Sequence, residues 1–332
     1  MRAVPTPKRS PNRRAAVIYN PLKVDILALE TAVASAAKEA GWRRTLWFAT
    51  TIDDAGQLLV AEAVRRGATM VLAAGGDGTV RAVAEGLRGT GVAMALLPSG
   101  TGNLLARNLD IPFGNLAATV ATAFAGVDRK IDLGLASIVR DDGDVEEHVF
   151  LVMAGLGLDA KMIAKTSPKL KKAVGWLAYV DAIGRSLPEI KPVRLRVSID
   201  GETARSVNVH TIIIGNCGKL PGGILLIPDA QPDDGILDFV ALRPRGPFGW
   251  LNVWNKLAWE NGVLRKSALG RRIIDLSRDV KDVTYLRGKD LRMTVETPQQ
   301  FQLDGDEFGE AKSVHTWVDP GALTVRVPAG SF

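Results

Sequence analysis

The first part of the chain alternates short apolar runs with longer amphipathic stretches, whereas the remainder is a succession of apolar runs with few helical interruptions. Apolar runs at residues 16–19, 45–49, 70–74 and 92–97 have the length and flanks of buried strands. Between and after them, residues 25–40, 53–66, 80–87, 104–108 and 116–125 carry helical patterning. Gly41 and Gly67 close the first two of these helices, and Thr51 or Asp53 is the expected N-cap of the second. Such alternation predicts a parallel sheet with helices on both faces. From Lys130 onward the strand candidates are 131–138, 148–154, 193–199, 207–214, 236–242, 282–286, 292–295 and 301–303. Helical patterning interrupts them at about 159–187 and 248–269, and the expected architecture is a mainly antiparallel β-sandwich. A last strand is expected at 322–327.

Composition adds boundaries. At 332 residues the chain suits two domains rather than one core. Residues 1–14 hold Arg2, Lys8, Arg9, Arg13 and Arg14 among prolines without an apolar stretch, which reads as a disordered basic leader. The expected division is 15–130 for the α/β domain, 131–312 for the sandwich, and 313–332 for a tail strand packing back towards the first domain. The single cysteine, Cys217, excludes an intramolecular disulfide. His148, His210 and His315 lack metal-ligand spacing, which argues against zinc. No apolar run reaches the roughly 20 residues that span a bilayer, so the expectation is a soluble protein whose membrane contact is peripheral. The net charge of +6 comes without any nucleic-acid-binding motif, so no nucleic-acid partner is expected.

The chemistry concentrates in two glycine loops. Gly75-Gly76-Asp77-Gly78-Thr79 follows an apolar strand and precedes a helix, the geometry in which backbone N–H groups face a phosphate. The Asp77 carboxylate repels phosphate, so it is read as holding a hydroxyl or a cation such as Mg²⁺. Pro98-Ser99-Gly100-Thr101-Gly102-Asn103 repeats the arrangement after the next strand. Two such loops lie side by side at the carboxyl edge of a parallel sheet, where open α/β sheets bind ligands. Asn20-Pro21 ends a further strand on the same pattern.

Together with Gly222-Gly223, Pro228-Asp229-Ala230, Asp233-Asp234-Gly235 and Asp304-Gly305-Asp306, these motifs resemble the diacylglycerol kinase catalytic family over residues 15 to about 310. The resemblance implies an ATP- and Mg²⁺-dependent lipid kinase that phosphorylates diacylglycerol or a related lipid alcohol at a membrane surface, cytoplasmic and transiently membrane-associated. It implies an ATP site lined by Asn20, Pro21, Thr50, Gly75, Gly76, Asp77, Gly78, Thr79, Val80, Arg81, Ser99, Gly100, Thr101 and Asn103. It implies a structural Mg²⁺ held by Asp234 with the carbonyls of Gln231 and Ile236, with Asp132 and Asp159 as weaker candidates for the same network. Asp304 and Asp306 are read as a pair, one of which takes the hydroxyl proton. The family pattern is Asp-Gly-Glu, and this chain has Asp306 at its third position.

Basic residues beside Trp176 and beside Trp250, Trp254 and Trp259 suit an anionic headgroup region, although core packing explains the tryptophan spacing as well. Two other classes remain open on the sequence. An NAD kinase-like phosphotransferase accounts for the first glycine loop, and an inactive lipid- or nucleotide-binding regulator accounts for Asp306. No stable protein partner is implied, and the oligomeric state is open.

Overall fold

The structure is a computed structural model that describes residues 13–157, 192–220, 225–243 and 283–330. The leader up to residue 12, both helical interruptions, Asp159, Gly222-Gly223 and the tryptophan-basic segments lie outside the described residues. The chain forms two units: residues 1–131 with 322–332, and residues 132–321.

The first unit is built on strands β1 (Arg14–Tyr19), β2 (Arg43–Ala49), β3 (Met70–Gly75) and β4 (Ala93–Pro98). Their order is β2-β1-β3-β4, all parallel, and the end of the last strand of the chain adds beside β4 through Val325 opposite Met94. Helices α1 (Ile26–Glu39), α2 (Gln57–Arg65), α3 (Asp77–Leu87), α4 (Leu104–Asn108) and α5 (Leu116–Ala125) connect and follow these strands. Every residue of β3 is buried, as expected of a central strand covered on both faces. Leu29, Val33 and Ala37 of α1 pack with Val120, Ala123 and Phe124 of α5 on the face that carries Val17, Leu72 and Ala95. Helices α2 and α3 contact each other and the sheet without joining that cluster, and so cover the other face.

This order places the reversal of winding between β1 and β3. From β1 the chain steps outward to β2, then returns past β1 to build β3 and β4 on the opposite side. The crevice at the carboxyl ends of the two strands that flank the reversal is the binding position in doubly wound sheets.

The second unit is antiparallel throughout its described pairings. It comprises the greater part of β5 (Val127–Val139), then β6 (Val145–Phe150), β7 (Met153–Leu156), β8 (Val193–Ile199), β9 (Arg205–Val209), β10 (Thr211–Gly215), β11 (Leu237–Leu242), β12 (Val283–Gly288), β13 (Asp290–Leu303) and most of β14 (Asp306–Val327). One path of pairing runs β12-β11-β10-β7-β13-β14, while β8 adds to the other half of β13 with β9 beside it, and β5 pairs with β14 and β6. The long strand β13 therefore serves two layers. Its residues 291–295 pair with β8 and its residues 301–303 with β7. Phe150, Ile214, Leu237, Phe301, Leu303 and Val314 form the core between the layers.

Several boundaries differ from the sequence reading for physical reasons. The expected run 148–154 divides into β6 and β7, and 207–214 divides at His210. Helix α2 starts at Gln57, and its first-turn amides are capped by neither Thr51 nor Asp53. The Asp54 carboxylate instead accepts from Gly56 N at 2.8 Å and Leu59 N at 3.1 Å. Helix α3 begins at Asp77, so the first glycine motif supplies a helical turn as well as a loop.

Candidate active site

At the end of β1, Asn20 and Pro21 form a tight turn. The amide of Lys23 donates to Asn20 O at 3.0 Å, and Asn20 Oδ1 accepts from the Leu22 amide at 2.9 Å. Proline at the second position and an asparagine side chain bonded to its own turn are what such a turn prefers. The turn sends Lys23 across to β3. A methyl group built on Gly76 would lie 2.8 Å from Lys23 Nζ. The ammonium therefore occupies the space that a side chain at Gly76 would fill, directly above the amino end of α3. Lys23 has no carboxylate partner among the described residues.

The second loop closes the cradle from the other side. A methyl on Gly100 would lie 2.8 Å from the Gly76 Cα, so the two loops meet backbone to backbone. Ser99 N donates to Gly75 O at 2.9 Å, and its hydroxyl donates to Leu97 O. Asn103 holds the loop by a reciprocal pair, accepting from Gly100 N at 3.0 Å and donating to Gly100 O at 2.9 Å. Its backbone is left-handed, with φ 49°, a conformation asparagine tolerates better than most residues. Thr79 and Val80 are buried, Thr101 is exposed, and Gly78 lies in the first turn of α3. Arg81 is half-buried on that helix. Thr50, at the end of β2, is buried and its amide donates to Tyr19 O at 2.8 Å. These residues gather at the carboxyl edge of one sheet.

Asp77 has a task that the sequence reading did not name. Its Oδ2 accepts from Asn103 N at 2.9 Å and its Oδ1 from Leu104 N at 2.6 Å. The carboxylate of the first loop thus caps α4 of the second and ties the loops together. Negative charge at a helix start is favourable on both hydrogen-bonding and dipole grounds. Sequence reasoning weighed the phosphate alone and missed the amides of the neighbouring helix, which this carboxylate accepts.

In the second unit, Asp304-Gly305 forms a two-residue hairpin turn between β13 and β14, with Leu303 paired to Asp306. Both central residues have positive φ, 50° and 88°, as a type I′ turn requires. Asp304 is buried, and its carboxylate accepts from three consecutive amides: Leu151 N at 2.9 Å, Val152 N at 2.8 Å and Met153 N at 3.1 Å. The first two amides lie in the break between β6 and β7, and the third opens β7. The same break receives Asn216, which donates to Leu151 O at 2.9 Å and Asp132 O at 3.0 Å. Asp306, two residues on, is exposed.

The acidic turn after residue 228 is organised by Asp132, which accepts from Gly235 N and from Gly321 N, both at 2.7 Å. Asp234 Oδ1 accepts from Ile236 N at 3.1 Å, and Oδ2 meets Arg287 Nη2 at 2.5 Å. The other edge of Arg287 reaches Asp238 Oδ1 at 3.0 Å. Asp238 is buried, and desolvation pushes its carboxyl up to about 6 against the opposing pull of Arg287. Among the described residues no group of three or more His, Cys, Asp or Glu side chains is arranged to hold a metal. The set expected to hold Mg²⁺, namely Asp234 with Gln231 and Ile236, meets an arginine at its one carboxylate and does not fit a divalent cation.

The comparisons with known proteins agree with this layout. Residues 14–136 match the model of the diacylglycerol kinase catalytic domain. Residues 152–259 match that of the YegS C-terminal NAD kinase beta sandwich-like domain. A Pseudomonas aeruginosa protein named "Probable lipid kinase YegS-like" is 33% identical over 311 residues, covering 90% of each chain. The chain belongs to the diacylglycerol kinase catalytic domain family. A Bacillus subtilis diacylglycerol kinase is 27% identical over 90% of this chain and 91% of its own. In fold, the crystal structure of a Bacillus anthracis diacylglycerol kinase superposes with TM-score 0.63 at 18% identity, over 97% of this chain and 98% of that one.

Proposed function

We propose that this protein is an ATP- and Mg²⁺-dependent lipid kinase that phosphorylates the hydroxyl of diacylglycerol or a related lipid alcohol at a membrane surface. The observation that carries the reading is the cradle at the β1/β3 reversal. Lys23 stands over Gly76 beside Gly100, uncommitted to any carboxylate among the described residues. A cation above a helix start with no anion of its own is suited to a phosphate. Asn20 and Pro21 aim it. Gly75 to Arg81 and Ser99 to Asn103 supply the backbone around the triphosphate, and Thr50 borders it.

In the reaction the acceptor oxygen attacks the γ-phosphorus, the bond from that phosphorus to the bridging oxygen breaks, and ADP leaves. Mg²⁺ bound with ATP would neutralise charge on the phosphates. The hydroxyl proton passes to a carboxylate. Asp306 is our choice for this role, since Asp304 already accepts three backbone amides and is suited to holding the turn. Asp306 is exposed at the strand start, where a substrate hydroxyl has access.

A cytoplasmic, peripherally bound enzyme fits this substrate class. No helix among the described residues is long and apolar enough to cross a membrane. The test is transfer of label from γ-labelled ATP, with Mg²⁺, to a panel of mixed-micelle lipid alcohols and to NAD, with solvent extraction of products. Label in an organic-phase lipid supports the proposal and identifies the acceptor. Label on NAD alone, or on nothing despite ATP binding, removes it.

A further inference from the structure

Arg287 and the acidic turn form a unit that the phosphotransfer reading does not use. Arg287 on β12 stands directly opposite Asp238 on β11 in the antiparallel register. Its Nε meets Asp238 Oδ1 at 3.0 Å while its Nη2 reaches out of the sheet to Asp234 Oδ2 at 2.5 Å. One guanidinium therefore bridges a strand residue to the turn that precedes that strand. Asp238 is 4% exposed, and its Oδ2 has no hydrogen-bond partner among the described residues. A buried carboxylate in that state depends on its one cation, because removing the partner leaves an uncompensated charge.

Backbone amides hold other points of the turn. Asp132 accepts from Gly235 N and Gly321 N, and Asp234 Oδ1 accepts from Ile236 N. Both oxygens of Asp234 are thus engaged, one by an amide and one by a positive charge. A divalent cation seated there would face the guanidinium at close range, and the like charges repel.

We infer that Arg287 is the resident counter-ion of this turn, doing with a guanidinium what a bound divalent cation would otherwise do, so that the second unit folds and holds its shape without metal. A fixed guanidinium offers two donors in a rigid fork and cannot be deprotonated or chelated away. It is also independent of the Mg²⁺ that accompanies ATP, so the inference stands or falls separately from the proposed function.

The experiment is thermal unfolding of the full chain without nucleotide, in EDTA and in excess Mg²⁺ or Ca²⁺. A cation at a hundred times its Kd would raise Tm by roughly 5–10 °C for a unit of this size. The wild type is expected to shift by less than about 1 °C between the two conditions, an order-of-magnitude bound from the same linkage. Arg287→Met is expected to melt lower in EDTA and to regain several degrees with a divalent cation, a gain that a second change, Asp234→Asn, abolishes. A wild-type Tm that rises with Mg²⁺, and stops rising in Asp234→Asn, would overturn the inference. So would a folded Arg287→Met that gains nothing from either cation. If Arg287→Met does not fold, Mn²⁺ titration of the wild type followed by water proton relaxation decides: no nucleotide-free binding supports the inference, and binding lost in Asp234→Asn overturns it.

Discussion

Lys23 and Arg287 are both exposed-side cations held near backbone turns, and they have opposite surroundings. Arg287 is claimed by two carboxylates, one of them buried, so its charge is spent within the fold. Lys23 lies over the backbone of Gly76 and has no carboxylate partner among the described residues. The contrast separates a cation that stabilises structure from one left available to a ligand. The aspartates differ in burial and setting. Asp77 and Asp304 have their oxygens occupied by backbone amides and act as anchors, whereas Asp306 is exposed at the start of β14.

The largest expected effect comes from removing an anchor. Asp304→Ala leaves three amides without their acceptor in a buried position, and each orphaned group costs about 1–3 kcal/mol. Denaturant unfolding should show a loss of roughly 3–5 kcal/mol, or failure to fold. A loss under about 1 kcal/mol would mean that water replaces the carboxylate and that Asp304 is not an anchor. Asp306→Ala, by comparison, should leave the unfolding midpoint within experimental error and abolish phosphotransfer.

Next is Asp77→Ala. It removes the cap of α4 and the tie between the loops, which should cost roughly 1–2 kcal/mol of stability and at least tenfold in activity at fixed ATP. Activity that survives at wild-type level would show that the loops hold their geometry without the carboxylate.

The two glycines that face each other make a finer discrimination. In Gly100→Ala the new methyl meets the Gly76 Cα at 2.8 Å, backbone that has nowhere to go. Overpacking of this kind costs about 1–3 kcal/mol. In Gly76→Ala the nearest atom, also at 2.8 Å, is the end of the flexible Lys23 side chain, which can swing aside. That variant should keep most of its stability and lose affinity for ATP. Equal destabilisation by both would mean that Lys23 is fixed in place rather than available.

The sequence made some of this plain and left other parts hidden. Helices α4 and α5 and strand β8 match their patterned runs end to end, because each is bounded by strong local signals such as Asn103, Asn115 and Gly126. Strand β13 was read as two pieces. Pro298 interrupts the alternation, and the structure accommodates it in a register shift between Thr294 and Gln299 rather than by ending the strand. The last strand is expected at 322–327 within a tail of 313–332, but β14 already begins at Asp306 and carries Gly309, Pro320 and Gly321 along its length. Glycine and proline punctuate a sequence even where long-range pairing overrides them.

The glycine loops were legible because their residue types are constrained by geometry. Lys23 was not, since an exposed lysine in a loop has no periodic signature. The turn of Asn20 and Pro21 was the signal that could have found it, because it fixes where the fourth residue must go. Arg287 was hidden for another reason. It lies 53 residues from Asp234 in sequence, and only the register of β11 against β12 brings it there.

The most direct test of the central claim is the kinetics of Lys23→Met beside the wild type, with ATP and lipid varied separately. A charged hydrogen bond to phosphate is worth about 1.5–3 kcal/mol, which converts to roughly 10- to 150-fold. The account predicts that loss in kcat/KM for ATP, with the KM for lipid and the Tm unchanged. Unaltered ATP kinetics in a folded Lys23→Met protein would contradict it, and would mean that the cation over Gly76 has no part in holding the nucleotide.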